Sequence, residues 1–490
     1  MVSHIAATGL ALHDPPSNAV LWQWLYREIR AAILSGRLKR GVCLPSTREL
    51  GRKYGLSRGT VIAAFDQLQA EGYLDGKVGA GTYVNTRLPE DYLTTARATI
   101  DDQPVRPRKI VTLSRFANRL IPVPEMPVAP LRAFRLEPAL DEFPTGVWGQ
   151  IVARCMRRAT RTLLVDSDSR GYRPLREAIA EHLGATRGVA CSADQVIVVA
   201  GIQHGFDLTM RLLLNPQDRV CVEDPCHPMI PAMLRVLPAR VIPVPVDTGG
   251  LDTRVGQRQC RGPKLIYVTP AHQFPLGVTM TLERRLALLD WARRSGSWIF
   301  EDDYDSEYRY TGRPIPAVQG FDPEGPVIFS GSFSKLLLPT LRLGYLVVPS
   351  MLVDKFAAAR FISDRHSSII DQAVMCEFLV EGHFARHIRR MRELHVARSR
   401  ELREAVNRRL PEVMEVPEIE AGIHTVVWLK HELREEAVAQ AAAEHKVETV
   451  PLRRFTLRRQ QPDGLLLGFA AYTPRQIREA VDRLAVSLNR

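Results

Sequence analysis

The sequence predicts two structural modules in a chain of 490 residues: a small helical module that ends in a β-hairpin, and a larger α/β domain with a mostly parallel sheet. Helical spacing of apolar residues with glycine punctuation indicates the first module over residues 18–86. Short apolar segments that alternate with helical stretches indicate the second over residues 111–490. Prolines and charges over residues 87–110 predict a semi-extended linker between them.

The composition is that of an ordinary globular protein, with 45% hydrophobic and 24% charged residues. No apolar run reaches the length of about eighteen residues that a membrane helix needs, and Met1–Pro16 lacks the pattern of a secretory signal. The seven cysteines have no regular spacing, which favours a reducing compartment. We therefore expect a cytoplasmic protein without a membrane partner. The net charge of +12 permits a polyanionic partner but does not indicate one by itself.

Three helices are predicted in the first module. The first has apolar residues at helical spacing and stops at Gly36: Trp22, Leu25, Ile29, Ala32 and Ile33. Ser46 and Glu49 have the S-x-x-E spacing of a capping box, so a second helix begins there and ends at Gly55. Ser57 caps a third helix, whose apolar face is formed by Val61, Phe65 and Leu68.

Two short helices joined by a tight glycine turn form a helix-turn-helix, whose second helix enters the major groove of DNA. Residues 74–84, with glycines at 76, 79 and 81, predict a β-hairpin wing. The polar face of this unit offers hydroxyls, cations and helix N-termini to phosphates and base edges: Ser46, Arg48, Ser57, Arg58, Thr60 and Lys77. The same apolar pattern is also compatible with a purely structural three-helix bundle.

The succession L-P-S-T-R-E-L, G-L-S-R-G-T-V, L-Q-A-E-G-Y-L and G-A-G-T-Y-V resembles the winged helix of GntR-type regulators. This resemblance implies contact with double-stranded operator DNA through Arg48, Arg58, Thr60 and the wing around Gly79 and Gly81. The sequence departs from the family at Gly59 and Ile62, where members often carry polar or basic contact residues. The DNA-binding module is therefore predicted, and the operator sequence is not.

Six apolar segments of the second module are predicted to be buried strands: residues 195–200, 219–222, 264–268, 297–300, 326–329 and 345–348. Ligands of such sheets bind at the carboxyl ends of the strands. Residues with reactive or charged side chains follow several of these segments directly. We therefore expect a ligand site at this edge of the sheet.

Lys335 follows one predicted strand, after a turn of small and hydroxyl-bearing residues. A partly buried lysine has a lowered pKa and can form a Schiff base with an aldehyde cofactor. Ser332, Ser334 and Arg342 would donate hydrogen bonds to a phosphate group of that cofactor. The S-x-S-K pattern is weak by itself, because most lysines after serines are solvated surface residues.

The acidic segment after Phe300 supports this interpretation. Pyridoxal phosphate needs a carboxylate at its pyridine nitrogen and benefits from a phenol beside its ring hydroxyl. Asp302 and Tyr304 are two positions apart, so they point to the same side if the strand continues. A solvated acidic loop and a divalent-metal site are the alternatives for this segment.

Other strand ends complete the predicted pocket. After the predicted strand 195–200, a helix begins at Gly201, Ile202 and Gln203, and its first backbone N–H groups can bind phosphate. The flat side chain of His227 can stack on the cofactor ring, and residues 269–277 form another loop at the same edge. No metal site is predicted from Cys221, Cys226 and His227, because zinc sites use more closely spaced cysteine pairs.

From about Val111 the sequence resembles fold-type I aminotransferases, and the whole chain resembles MocR-like regulators. The motifs are E-D-P, T-P-A-H-Q-F-P-L-G, E-D-D-Y-D-S-E-Y, and S-F-S-K with P-x-L-R-L-G-Y. The resemblance implies a large α/β domain, a small C-terminal domain, a homodimer, and pyridoxal 5′-phosphate carried by Lys335. By the same resemblance, Asp302 is the partner of the pyridine nitrogen and Tyr304 that of the ring hydroxyl. Ser332 and Arg342 bind the phosphate, and His227 stacks on the ring face.

The substrate end of the pocket departs from the family. Met229 stands where some relatives place an arginine for an effector carboxylate, and no arginine immediately precedes residues 465–469, where aminotransferases usually bind a substrate carboxylate. The possible substitutes are Arg453, Arg454, Arg458 and Arg459. We therefore predict a transcription regulator, not an enzyme, that senses an amine, an amino-acid compound or pyridoxal phosphate through the Lys335 Schiff base. The alternatives are an active aminotransferase with an accessory DNA-binding domain, and a DNA-binding scaffold with a vestigial cofactor site.

Overall fold

The computed structural model describes residues 10, 12–16, 19–77, 81–94, 112–120, 133–159, 161–165, 167–312, 315–431, 433–458 and 461–488. The chain separates into two compact units, Met1–Thr112 and Leu113–Arg490. No helix of the described residues is long and apolar enough to cross a membrane.

The N-terminal unit consists of helices α1 (Leu21–Leu34), α2 (Thr47–Tyr54), α3 (Arg58–Ala70) and α4 (Pro89–Thr94) and an antiparallel hairpin of strands β1 (Leu74–Lys77) and β2 (Gly81–Val84). The predicted capping box is present: the Glu49 backbone N–H donates to Ser46 Oγ at 3.3 Å, and the Ser46 N–H donates to Glu49 Oε2 at 2.9 Å. Helix α2 ends at Gly55 in the left-handed conformation (φ 65°). The predicted helix-turn-helix and wing are therefore confirmed.

A tight turn brings α2 and α3 together. A side chain at Gly51 would place its Cβ only 2.9 Å from the backbone oxygen of Leu56, so this approach requires a glycine. The helices then share a core of fully buried side chains, which includes Leu25, Ile29, Leu50, Val61 and Leu68. This core leaves the N-terminal turn of α3 at the surface.

The predicted semi-extended linker is wrong at its beginning, because Pro89–Thr94 forms helix α4. The helix is fixed by polar contacts with the N-terminal unit: Arg40 Nη1 lies 2.6 Å from Asp91 Oδ2, and the Tyr73 hydroxyl donates to Glu90 Oε1 at 2.6 Å. These contacts join distant positions, so apolar periodicity does not reveal them. Residues 95–110 of the predicted linker lie outside the described residues.

The C-terminal unit has these helices: α5 (Thr145–Arg157), α6 (Arg161–Leu164), α7 (Arg173–Arg187), α8 (Ile202–Leu213), α9 (Met229–Val236), α10 (Thr253–Gln259), α11 (Leu282–Ser295), α12 (Val353–Asp364), α13 (Ile369–Val380), α14 (His383–Arg409), α15 (Glu435–Glu444) and α16 (Pro474–Leu488). Its strands are β3 (Val196–Val199), β4 (Arg219–Asp224), β5 (Arg240–Asp247), β6 (Gly250–Leu251), β7 (Leu265–Val268), β8 (Trp298–Asp303), β9 (Val327–Ser332), β10 (Gly344–Val347), β11 (Met414–Glu415), β12 (His424–Leu429), β13 (Val450–Pro451) and β14 (Gly464–Gly468).

Within the described residues the large sheet has eight strands in the order β3-β10-β9-β8-β7-β4-β5-β6. Strands β9, β8, β7, β4 and β5 run parallel, whereas β10 is antiparallel to β3 and β9. The α/β class, the mostly parallel sheet and the six predicted strands are confirmed. Strand β5 was not predicted, because Pro243 and Pro245 interrupt its apolar pattern; such prolines are tolerated near the edge of a sheet.

Two predicted strands continue beyond their apolar segments. Strand β8 extends through Asp303, and β9 extends through Ser332, which was predicted to lie in a turn. The two extensions pair with each other, with Asp302 opposite Ser330 in the register. Polar side chains are thereby held on rigid strands at the carboxyl edge.

A second, antiparallel sheet of β11, β12, β14 and β13 forms the small C-terminal part. Helices α14 and α16 cover it through a separate buried core. The first residue of β12, His424, and its neighbour Ile423 reach the ligand cavity of the large sheet. The small sheet therefore supplies one wall of the site.

Candidate functional site

All the predicted cofactor residues line one cavity of about 250 Å³ at the carboxyl edge of the large sheet. They lie at the ends of β3, β4, β8 and β9 or in the segments that follow these strands: Gly201, Ile202, Gln203, His227, Asp302, Tyr304, Ser332, Ser334, Lys335 and Arg342. The parallel order of the strands brings these segments to one edge. The structure therefore places the predicted residues together; their roles remain predictions.

Asp302 is a buried carboxylate at the end of β8. Its Oδ2 accepts a hydrogen bond from the Tyr267 hydroxyl, while Oδ1 has no partner among the described residues. Burial raises the pKa of Asp302 to about 7, against the opposing effect of the Tyr267 hydroxyl. A cationic N–H in the cavity would supply the missing partner and stabilise the ionised form.

Lys335 lies on the same cavity. Burial lowers the pKa of its amine, and the nearby Asp305 carboxylate opposes this effect. A lowered pKa increases the neutral fraction, which is the nucleophilic form of a lysine. The side chain is therefore suited to attack a carbonyl group.

A potential anion site lies beside the lysine. Gly201 (φ 88°) precedes the first turn of α8, and the Arg342 guanidinium donates to the neighbouring Ala200 carbonyl at 2.9 Å. A Cβ at Gly201 would lie 3.5 Å from Arg342 Nη2. Ser334 Oγ is buried without a partner among the described residues. A helix N-terminus, a guanidinium group and a free hydroxyl suit a phosphate group.

Tyr304 belongs to a buried chain of polar groups that sequence reasoning missed. Its hydroxyl lies 3.0 Å from Nδ1 of His272, which lies 2.9 Å from Asp305 Oδ2. Burial, followed by the nearby Asp305 carboxylate, raises the pKa of Tyr304 well above its usual range. The phenol is therefore a fixed, protonated donor at neutral pH. Both partners lie in the motifs T-P-A-H and E-D-D-Y-D, but spacing alone does not reveal their contact.

The remaining wall is mainly apolar; the sequence had pointed to Met229 and to the loop that contains Phe274, and the other residues were missed. Its residues are Leu136, Met229, Ile230, Met233, Phe274 and Ile423. The ring centroid of Phe274 lies 5.3 Å from that of His227. His227 lines the cavity while part of it stays exposed, and its flat ring is suited to stack on an aromatic ligand.

The predicted substitutes for a carboxylate-binding arginine lie elsewhere. Arg453 Nη1 is 2.5 Å from Glu436 Oε1, and the Arg458 backbone N–H donates to Asp224 at 2.8 Å. Neither of these residues nor Arg454 lines the cavity, and Arg459 lies outside the described residues. Among the described residues that line the cavity, Lys335 is the one lysine and Arg342 the one arginine.

An acidic group outside the cavity has the spacing of metal ligands. Carboxylate oxygens of Glu435, Glu436 and Asp463 lie within 4.8 Å of one another. However, Glu435 accepts backbone hydrogen bonds from three separate positions: Leu452, Arg453 and Gly464. A structural role in joining β13, β14 and α15 accounts for this group.

The predicted DNA-binding residues lie around the starts of α2 and α3. Ser46, Arg48, Ser57 and Arg58 are exposed, and Thr60 is half-buried. Ser57 Oγ accepts from the Thr60 backbone N–H at 3.1 Å and lies 2.8 Å from its hydroxyl. The Ser57 hydroxyl therefore also caps α3, and the Thr60 hydroxyl bonds to it.

The wing is described only in part. Lys77 ends β1, but its side chain lies outside the described part of the structure, as does Gly79. Gly81 begins β2 with a φ of 104°, where a Cβ would lie 3.1 Å from Cys43 Sγ. Ile62, one of the departures from the family, is exposed on α3.

Two family models match the chain. "Bacterial regulatory proteins, gntR family" matches residues 22–84, and "Aminotransferase class I and II" matches residues 142–484. The probable rhizopine catabolism regulatory protein MocR of Rhizobium meliloti is 37% identical over 96% of this chain and 94% of its own length. The pyridoxine biosynthesis regulator PdxR of Corynebacterium glutamicum is 32% identical over 78% and 77%, respectively.

Solved aminotransferase structures are similar to the C-terminal unit. The kynurenine aminotransferase of Pyrococcus horikoshii, in complex with PMP, has a TM-score of 0.67 and 27% identity over 72% of this chain and 89% of its own. The α-aminoadipate aminotransferase LysN of Thermus thermophilus, complexed with N-(5′-phosphopyridoxyl)-L-leucine, has a TM-score of 0.69 and 25% identity over 77% and 97%. The chain therefore belongs to the MocR-type transcription regulators, in which a GntR-family DNA-binding unit precedes a domain of the aminotransferase class I and II family.

Proposed function

We propose that the C-terminal domain binds pyridoxal 5′-phosphate on Lys335 and senses a small amine, an amino-acid compound or the cofactor itself. One observation carries this proposal: two buried atoms without partners among the described residues, Asp302 Oδ1 and Ser334 Oγ, border the same cavity as Lys335. They match the pyridine nitrogen and the phosphate of the cofactor. The similar aminotransferase structures contain PMP or a phosphopyridoxyl compound, which supports the same cofactor for this cavity.

Each side chain then has a defined task. When bound, the cofactor supplies an aldehyde that reacts with primary amines and a ring that withdraws electrons. Lys335 holds the aldehyde carbon, Asp302 holds the proton of the ring nitrogen, and Tyr304 donates to the ring hydroxyl. The phosphate is held by the start of α8 and by side chains beside it: Ser332, Ser334 and Arg342. His227 packs on the ring face.

The N-terminal unit binds double-stranded operator DNA. We assign this domain to residues 18–94, because α4 is bonded to it, the linker to residues 95–110 and the effector domain to residues 111–490. Arg48 and Arg58 carry exposed guanidinium groups at helix starts, where they can reach phosphates or guanine edges. Ser46, Ser57 and Thr60 add donors from the same face. The wing, with Lys77, Gly79 and Gly81, contacts the adjacent sugar–phosphate backbone of the DNA.

A homodimer would present two such units to a symmetric operator, whose half-site spacing the linkers must accommodate. An effector can change operator binding only if it has different affinities for two conformations of the protein. We propose that occupation of the Lys335 cavity changes the position of the small C-terminal part, and thereby the placement of the DNA-binding units.

An active aminotransferase is the second candidate, because the cavity holds a full set of cofactor-binding side chains. The relatives that span nearly the whole chain are named as regulators, which favours the sensor. Among the described residues, Arg342 is the arginine that lines the cavity, and it lies at the proposed phosphate site. A second arginine for a substrate carboxylate is not found among them.

Replacing the lysine tests the cofactor assignment. Lys335→Ala should remove the absorption band of the Schiff base and leave at most that of the free aldehyde, because no lysine of the cavity remains among the described residues to bond the cofactor. Borohydride reduction followed by peptide mass spectrometry should find the pyridoxyl group on Lys335 of the unsubstituted protein. Lys355→Ala, at an exposed lysine of α12, is the matched control. A pyridoxyl group on a different lysine would contradict the proposal.

Replacing the buried carboxylate should have opposite effects on stability and on cofactor binding. The pKa of Asp302 is raised from its ordinary value to about 7. Between these two pH values, Asp302 keeps its proton in the folded protein and has lost it in the unfolded chain. Wild-type stability therefore falls as the pH rises from the ordinary aspartate pKa to about 7. At pH values above about 7, Asp302→Asn should raise the melting temperature of the cofactor-free protein by about 2–4 °C. The same substitution should weaken cofactor binding.

Thermal unfolding at several pH values, with and without pyridoxal phosphate, measures both effects. Asp290→Asn, at an exposed carboxylate of α11, controls for the change of charge. An Asp302→Asn advantage that is independent of pH, or unchanged cofactor affinity, would be inconsistent with the assigned role.

Replacing an exposed arginine tests the DNA surface. Arg58→Ala should weaken operator binding by about 1–3 kcal/mol, because it removes a guanidinium from the first turn of α3. Fluorescence anisotropy with operator DNA at fixed salt gives the affinity. Lys39→Ala removes an exposed cation outside the proposed surface and should have a smaller effect. Equal losses for both variants would show that only overall charge matters.

A further inference from the structure

The cavity wall of hydrocarbon and sulfur groups restricts what can bind beside the cofactor. Met229, Met233 and Phe274 face the cavity together with the aliphatic side chains of Leu136, Ile230 and Ile423. A carboxylate placed against such a wall loses water and gains no hydrogen-bond donor. An apolar ligand body instead gains buried contact area. The wall therefore favours a hydrocarbon group.

His424 is the polar side chain set into this wall. It is the first residue of β12, it is buried, and its ring lies among aromatic rings: the centroids of Phe274, His272 and Tyr304 are 5.3, 5.4 and 6.4 Å away. The Pro275 backbone acts on the ring as a hydrogen-bond acceptor, which raises its pKa against the larger effect of burial. Its Nε2 is buried and has no partner among the described residues.

These contacts fix the tautomer of His424. A carbonyl oxygen can only accept, so the ring proton that bonds Pro275 is on Nδ1. Burial, with Lys335 and His272 as further causes, holds the pKa of His424 well below its usual range, so the ring stays neutral. Nε2 therefore carries a lone pair that no described group satisfies, on a side chain that lines the cavity. A lone pair attracts a hydroxyl or amine donor and repels a carboxylate.

The cationic groups of the cavity do not compensate for this wall. Lys335 is the proposed site of covalent attachment, and the Arg342 guanidinium is bonded to Ala200 beside the start of α8. Among the described residues, no other lysine or arginine lines the cavity. An amino acid would therefore bring its carboxylate to a surface that offers a lone pair and hydrocarbon.

We propose that the effector is a primary amine without a carboxylate on its amine-bearing carbon, with an apolar body against Met229, Met233 and Phe274 and a hydroxyl that donates to His424 Nε2. This inference rests on the proposed function, since it names the ligand class of the same cavity. Of the effectors named in the proposed function, this ligand class retains small amines and excludes ordinary α-amino acids.

The experiment uses three ligands that share the isopentylamine framework: L-leucine, L-leucinol and isopentylamine itself. They carry a carboxylate, a hydroxymethyl group or a hydrogen at the same carbon. Each is titrated into the full-length protein loaded with pyridoxal phosphate, and binding is measured by calorimetry and by the visible absorbance. We expect leucinol to bind about tenfold or more tighter than leucine, with isopentylamine between them.

Two variants test the two parts of the wall. Met229→Arg should reverse the order of leucine and leucinol, because it adds a guanidinium to the cavity. Met351→Arg makes the same substitution at an exposed methionine and should retain the wild-type order. His424→Phe should remove the advantage of leucinol over isopentylamine, since the acceptor is lost.

The outcomes separate this inference from the function on which it rests. Leucine binding as tightly as leucinol to the wild-type protein, or no binding of any of the three to loaded protein, would overturn the proposed ligand class. Protein that does not take up pyridoxal phosphate would contradict the proposed cofactor itself. Leucinol preferred by the wild type and leucine preferred by Met229→Arg would support the inference.

Discussion

The site depends on one buried carboxylate that is only half satisfied. Asp302 is held at the end of β8 by the Tyr267 hydroxyl, and its second oxygen has no partner among the described residues. Neighbouring acids are better matched: Asp303 lies 2.9 Å from Arg187, and Asp305 lies 2.9 Å from His272. A buried unpaired carboxylate is destabilising unless a cation or a proton meets it. A protonated ring nitrogen is such a partner.

The sheet explains why the other groups gather around this carboxylate. Strands β9, β8, β7 and β4 are adjacent and parallel, so the segments after them share one edge. The start of α8 and Arg342 lie next to each other at Gly201, and Lys335 follows β9 by three residues. The fold thus supplies a ring partner, a phosphate site and an amine on rigid elements. The small sheet adds His424 and Ile423 from a distant part of the chain.

The sequence predicted the residues whose chemistry is local to a strand end. Asp302, Tyr304 and Lys335 each follow an apolar segment closely, so the strand rule placed them correctly at one edge. It could not place Leu136 or His424, because their positions depend on how the small part packs against the large sheet. The His272–Asp305 contact was missed for a similar reason: it joins two loops, and no spacing within either loop encodes it.

Local rules also failed where long-range pairing decides the structure. The ends of β8 and β9 are polar, yet they remain strands because they pair with each other. Helix α4 forms in a charged, proline-containing segment because Arg40 and Tyr73 hold it. Capping, in contrast, is encoded within four residues, and the starts of α2 and α3 were predicted correctly from Ser46 and Ser57.

The central claim is that the cavity around Lys335 senses a ligand and controls DNA binding. The most direct test records the cofactor absorbance and the operator affinity in one titration of the loaded, full-length protein with the candidate amines. We expect an absorbance change that reaches a plateau and persists, with operator affinity changing at the same midpoint. Steady conversion to the pyridoxamine form with turnover on addition of a keto acid, at constant operator affinity, would contradict it and identify an enzyme.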